Sequence, residues 1–338
     1  MTTNPNNKTG LFSGAMIAVL TAQFLSAAAD NALLFAAIGL IKSNGFPAYF
    51  ESMLQEFFAG AFIVLAPFVG PLADAYTKGR VMLVANAVKL VGAGAMFLGL
   101  HPLLAYGIVG LGAAAYSPAK YGILSELVPA DKLVQANGLM EGSTIVAILL
   151  GALAGGWLSD ISVHWALGTV AALYALAALA NLRIPKMAAA HPLDTFNWLA
   201  WIRDFWRSLK QLYRHPDARF ALFGTSLFWG SGSTLRFMLV AWVPVALAID
   251  NNHTAANLNG VVAIGIALGA ALAARFVNLK TVNRALIAGL LLGLGVWVFA
   301  GVSNFYLAIA LLVFIGASGG FYVVPLNALL QERGHQTV

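Results

Sequence analysis

Along this chain, apolar residues gather into long runs broken by short polar clusters at intervals of ~20 to 30 residues, the length of a bilayer-crossing helix. A transmembrane barrel would instead alternate apolar and polar residues over strands of ~10 residues, and that alternation is absent. The runs predict ten transmembrane helices, over 13–40, 51–73, 81–100, 103–125, 133–159, 163–184, 218–249, 257–276, 284–302 and 304–331. The one long polar connection follows the sixth run. It divides the chain into an N-terminal six-helix half (1–184), a linker (185–217) and a C-terminal half of four helices (218–338). Within the linker, Trp198, Trp201, Ile202, Phe205, Leu209 and Leu212 recur at helical spacing, while Arg203, Asp204, Arg207, Lys210 and Arg214 take the other face. That pattern predicts an amphipathic helix lying in the cytoplasmic interface, either a strut between the halves or a docking site for a partner enzyme.

Composition sharpens the class. Hydrophobic residues make up 60% of the 338 and charged residues 9%, against roughly half and a quarter in soluble domains. The chain is an all-α polytopic membrane protein. It has no cysteine, which excludes disulfides, thiolate nucleophiles and zinc–cysteine sites; no metal and no cofactor are expected. The net charge of +6 comes from loop arginines and lysines and does not form a nucleic-acid surface. Those basic residues sort by side. Lys78 and Arg80 lie between the second and third runs, Lys132 between the fourth and fifth, a cluster in the linker, and Arg275, Lys280 and Arg284 between the eighth and ninth; the opposite loops hold only Lys42. The excess of positive charge on cytoplasmic loops then places the N-terminus, with Lys8, in the cytoplasm. Ala27-Ala28-Ala29 resembles a signal-peptidase site, but the apolar run resumes at Ala32, so the first helix is read as retained.

Polar residues inside the runs mark the candidate site. Asp30 and Asn31 interrupt the first run, and Asp30 lies 17 residues after Ser13, ~25 Å along a helix. An ionisable group at that depth costs several kcal/mol unless it faces protein or a water-filled cavity. It marks either a transport site or a structural ion pair between helices. Arg236 takes a similar depth in the seventh run, the equivalent helix of the other half, beside Gly230 and Gly232. Those glycines serve either a bulky ligand or close helix packing. Lys120 near the end of the fourth run and Glu141 in the fifth lie at similar depth if those helices are antiparallel neighbours, and Asn137 and Glu141, four apart, share a helix face. The pair either orders the bundle or takes part in substrate binding and gating. Lys89, three residues after Asn86 in the third run, is a further buried cation with no evident partner, read as structural.

The loop Gly70-Pro-Leu-Ala-Asp74-Ala-Tyr-Thr-Lys78-Gly79-Arg80 resembles the signature loop of the major facilitator superfamily, with one extra residue between aspartate and glycine; Gly79 is expected to permit a tight turn. The segments Gln23–Phe35, Tyr116–Glu126, Ala136–Thr144 and Val323–Gly334 together are similar to the bacterial lysophospholipid transporters of that superfamily, from about Leu11 to the last residue. The resemblance implies a bundle of two pseudo-symmetric halves around a midplane site, with six and four of the usual twelve helices in these residues. It also implies a flippase that moves lysophosphatidylethanolamine and related lysophospholipids from the outer to the inner leaflet of the bacterial inner membrane. There a cytoplasmic-side acyl-ACP synthetase/2-acylglycerophosphoethanolamine acyltransferase re-acylates them.

On this reading Asp30, Asn31, Tyr116, Lys120, Glu141, Arg236 and Asn327 are the substrate-binding and transport residues, and Asp74, Lys78 and Arg80 govern conformational gating. The head group enters sideways between the halves, Arg236 holds the phosphate, and Asp30 either meets the ethanolamine ammonium or, as preferred, pairs with Arg236 until the phosphate arrives. The resemblance further implies that Asp74 faces the positive end of an eleventh helix beyond Val338. Its contact therefore has no partner here, and the last four helices should show an open apolar flank. Two other function classes compete. A proton-coupled exporter of amphipathic drugs would use Asp30 or Glu141 as proton carrier. A membrane acyltransferase would need His-x-x-x-x-Asp for a general base, and none of the six histidines has an aspartate five residues on.

Overall fold

The computed structural model describes residues 10–47, 49–185, 187, 197–248 and 252–337, which form helices joined by short connections, with no strand among them. In chain order the helices are α1 (Gly14–Ser43), α2 (Tyr49–Ala75), α3 (Lys78–Phe97), α4 (Pro102–Leu127), α5 (Leu133–Ile161), α6 (Val163–Asn181), α7 (Trp198–Arg214), α8 (Pro216–Leu247), α9 (Asn252–Phe276), α10 (Arg284–Phe299) and α11 (Phe305–Thr337). Among the described residues, seven of them, α1, α2, α3, α5, α6, α9 and α11, are long and apolar enough to cross a membrane; α10 is apolar but shorter. Backbone groups in hydrocarbon must be satisfied within the segment, and every apolar run answers this by closing into one continuous helix.

The chain divides into two compact units: residues 1–127 with 146–207, and residues 128–145 with 208–338. The border runs through α5, whose first part groups with the second unit and whose remainder groups with the first.

In the first unit, α6 lies against α1 and α3, and α4 packs on α2 and α3. The core is built from Leu33, Ile41, Leu54, Met96, Val109, Val170 and Tyr174 with many alanines between them. Small residues set the spacing. Gly151 and Gly155 of α5 pass so close to α1 that a Cβ on Gly155 would stand 2.5 Å from the Ala32 Cα. Helices in lipid associate through such close van der Waals packing, since hydrocarbon gives apolar side chains no other reason to meet.

In the second unit α11 is the centre, packed against α9, α10 and α8. Here Gly265 and Gly269 of α9 face Gly316 and Gly320 of α11, and a Cβ on Gly316 would meet the Val262 carbonyl at 2.3 Å. A cavity of about 530 Å³ opens beside α8, α10 and α11, lined by Phe228, Leu235, Leu292, Val296, Ile315 and Gly319.

Helix α7 is amphipathic, with Trp198, Leu199 and Trp206 exposed and Trp201 buried against Phe68 of α2, ring centroids 6.4 Å apart. One expectation about the loop after α2 is corrected. Lys78, Gly79 and Arg80 form the first turn of α3 and not a connecting loop. Gly79 makes no tight turn either: a Cβ there would lie 2.9 Å from Ile184 Cγ2, so its bare backbone serves the close approach of Ile184.

Candidate functional site

The centre of the first unit is a buried ionic cluster carried by α1, α3, α4 and α6. Asp30 and Ser26 stand one turn apart on α1, and Asn86 and Lys89 three residues apart on α3, so each pair shares a face. Lys89 Nζ donates to Asp30 Oδ2 at 2.8 Å and to Ser26 Oγ at 2.9 Å. Ser26 Oγ donates onward to Asn86 Oδ1 at 2.7 Å, and the Tyr174 hydroxyl of α6 donates to Asp30 Oδ1 at 2.8 Å. The rings of Tyr116 and Tyr174 lie 5.1 and 5.8 Å from the ammonium, where an aromatic face attracts a cation. Lys89 therefore has the partner that its place in the sequence did not reveal. Asp30, expected opposite Arg236, has both oxygens engaged within its own unit. Asn31 donates its amide to the Ala27 carbonyl one turn back, at 2.8 Å.

At the α2–α3 corner, Lys78 is buried and bonds the Glu126 carboxylate of α4, with Asp74 3.4 Å away. Asp74 thus stands among basic side chains, as its sequence neighbours suggested. Gly122 makes room for the arrangement, since a Cβ there would meet Lys78 Cε at 2.6 Å. Arg80 is exposed. Lys120, before Gly122 and Glu126 on α4, is buried with its ammonium 4.4 Å from the Tyr121 ring centroid.

The second unit holds an antiparallel polar ladder. Asn137 and Gln331 exchange two amide hydrogen bonds at 3.0 and 2.8 Å, and one turn further along both helices Asn327 donates to Glu141 Oε1 at 3.3 Å. The structure thus brings together Glu141 and Asn327, two of the expected site residues; Lys120 belongs to the first unit and Glu141 to the second. Arg236 lies in α8, and its side chain is outside the described residues. Gly230 and Gly232 have nothing within 4 Å of where a Cβ would be and line the cavity, so close helix packing does not account for them.

Sequence reasoning missed Tyr174, Ser26, Glu126 and Gln331. Two of these had a readable signal. Gln331 follows Asn327 by four residues, the same spacing as Asn137 and Glu141, and Ser26 precedes Asp30 by four. Tyr174, one aromatic in an apolar run, had none. Among the described residues no cluster of three His, Asp or Glu offers a metal site.

Among the described residues, seven helices long and apolar enough to cross a membrane, with buried charged and amide groups inside each unit and an amphipathic helix at mid-chain, mark a multi-pass membrane protein of the transporter class. Residues 19–337 match the profile of the Major Facilitator Superfamily. The chain is 53% identical over 338 residues, all of its own length and 85% of the relative's, to a protein named lysophospholipid transporter LplT from Escherichia coli O7:K1 (strain IAI39 / ExPEC), and equally to that from Shigella boydii serotype 4 (strain Sb227). Among solved structures it is similar in fold to the human organic anion transporter MFSD10 (TETRAN), with a TM-score of 0.70 at 16% identity over 93% of this chain and 85% of that one. It is also similar to the Major Facilitator Superfamily transporter FucP in the outward conformation, with a TM-score of 0.66 at 15% identity over 95% and 96%. The chain belongs to the Major Facilitator Superfamily and, within it, to the lysophospholipid transporter family.

Proposed function

We propose that the protein moves lysophospholipids across the membrane by alternating access, taking lysophosphatidylethanolamine and its relatives from the outer to the inner leaflet. The observation that carries this is the 53% identity to proteins of that name over every residue of the chain. The drug-exporter reading has no comparable support, because the relatives of equal similarity share the lysophospholipid name. We assign the protein to the bacterial inner membrane from its family resemblance, and its N-terminus to the cytoplasm from the distribution of basic loops. A cytoplasmic-side acyl-ACP synthetase/2-acylglycerophosphoethanolamine acyltransferase is the expected consumer of the product.

Arg236 is proposed to hold the phosphate, since a guanidinium presents several donors in a fixed fork matched to phosphate oxygens. Asp30, Asn31, Tyr116, Lys120, Glu141 and Asn327 complete the polar path, and Asp74, Lys78 and Arg80 act in gating. Asp74 and Lys78 do so through the Glu126 cluster, which must rearrange if α2 and α4 shift against α3.

The test is uptake in proteoliposomes of labelled lysophosphatidylethanolamine against a cationic dye. Uptake of lysolipid alone is expected; uptake of dye alone would replace this function with the exporter. In the same assay Arg236→Ala should abolish lysolipid uptake while the protein stays folded, and Arg236→Lys should retain part of it, because a point charge replaces a fork. Normal uptake by the alanine variant would remove the phosphate role.

A further inference from the structure

The ion pair of the first unit is asymmetric in exposure. The Lys89 side chain is 2% exposed and that of Asp30 is 21% exposed. Lys89 reaches its partner from inside the bundle, wrapped by Ser26, Tyr116 and Tyr174. No solute can touch it. Asp30 has one oxygen on Lys89 and the other on Tyr174, yet its side chain remains partly open. Each acceptor oxygen can take more than one hydrogen bond, so the open side still accepts a donor.

The electrostatic consequence concerns the head group. A lone carboxylate facing the substrate would attract an ammonium and repel any lipid with net negative charge. With the Lys89 ammonium 2.8 Å from Asp30 Oδ2, the pair is a compact dipole. Its field falls off faster than that of a single charge, and an anionic lipid meets little repulsion.

We propose that Lys89, without touching substrate, sets the head-group selectivity of this site. By cancelling the charge of Asp30 from within the bundle, it lets one carboxylate serve zwitterionic and anionic lysophospholipids alike. This rests on the proposed lysophospholipid transport and on Asp30 facing the substrate. Lys89 is a positioning residue, acting through Asp30.

The experiment measures uptake of lysophosphatidylglycerol, which is anionic, and of lysophosphatidylethanolamine, which is zwitterionic, in proteoliposomes held in alkaline buffer. The ratio of the two rates is the readout, because a purely structural loss lowers both rates together. Lys89→Met should lower the anionic-to-zwitterionic ratio about tenfold, the scale of one uncompensated charge acting over several ångströms in a partly buried site. The double variant Asp30→Asn with Lys89→Met, again neutral, should return the ratio to the wild-type value whatever its absolute rate. An unchanged ratio in Lys89→Met, or a bias that persists in the double variant, would overturn the proposal. Should Lys89→Met not reach the membrane folded, Asp30→Asn alone decides. It leaves a net positive site and must shift the ratio toward the anionic lipid, and no shift overturns the inference. A wild-type protein that takes up neither lysolipid would defeat the assignment of lysophospholipid transport itself.

Discussion

Asp30 shows what a single ionisable residue in a membrane helix requires. Its carboxylate is satisfied by an ammonium from α3 and a hydroxyl from α6, so three helices are tied at one point. Hydrogen bonds to a charged group contribute ~1.5–3 kcal/mol each. Removing one member of a buried pair costs more, ~3–5 kcal/mol, because the other charge is left without compensation. Tyr174→Phe is therefore expected to lower stability by ~1.5–3 kcal/mol, and Lys89→Met by ~3–5 kcal/mol. The double variant Asp30→Asn with Lys89→Met should lose less than the two singles summed. Thermal unfolding in detergent checks this; additive losses would mean that the two groups do not interact. The neighbouring Lys78 follows the same rule, with Glu126 on α4 and Asp74 on α2 as its carboxylates.

At the scale of elements, the helix contacts are set by where side chains are missing. Gly151 and Gly155 let α5 approach α1, and the paired glycines of α9 and α11 bring those two helices into their closest contact. Spacings of four residues place each glycine pair on one face. Gly155→Leu is expected to disrupt α1–α5 packing and to lower the yield of folded protein severalfold, since a Cβ would enter the backbone of Ala32. Gly94→Leu on α3, where nothing lies within 4 Å of the added Cβ, should be tolerated. Folded yield by size-exclusion chromatography compares the two, and equal yields would contradict the packing argument. Helix α7 differs in kind. Trp201 anchors it on Phe68, while Trp198, Arg203, Trp206, Arg207 and Lys210 stay exposed, as suits a helix lying at a lipid surface.

At the scale of the whole molecule, the two units reach unequal completeness of packing. In the first, α6 closes α1 and α3 over the ionic cluster. In the second, α8 and α10 border a cavity of about 530 Å³, and α10 packs chiefly on α11. Local stability follows the number of packed neighbours. Amide hydrogen exchange in detergent should therefore be faster in α10 than in α3, by at least tenfold. Equal protection would mean that the cavity carries no energetic weight.

The amino-acid sequence by itself determined the helical membrane class and the mid-chain amphipathic helix, and it singled out the buried charges, because apolar length and buried charge obey local rules that need no knowledge of neighbours. The ladder of Asn137, Glu141, Asn327 and Gln331 was half legible, as matching four-residue spacings on α5 and α11. Tertiary structure alone decided the partners. Asp30 and Lys89 are 59 residues apart, and Tyr174 stands 144 residues from Asp30. A sequence shows which charges must be compensated, but not by whom, since that depends on how whole helices rotate and cross. The same holds for Gly79 and Gly155, whose missing side chains acquire meaning only from the atoms that fill the space they leave.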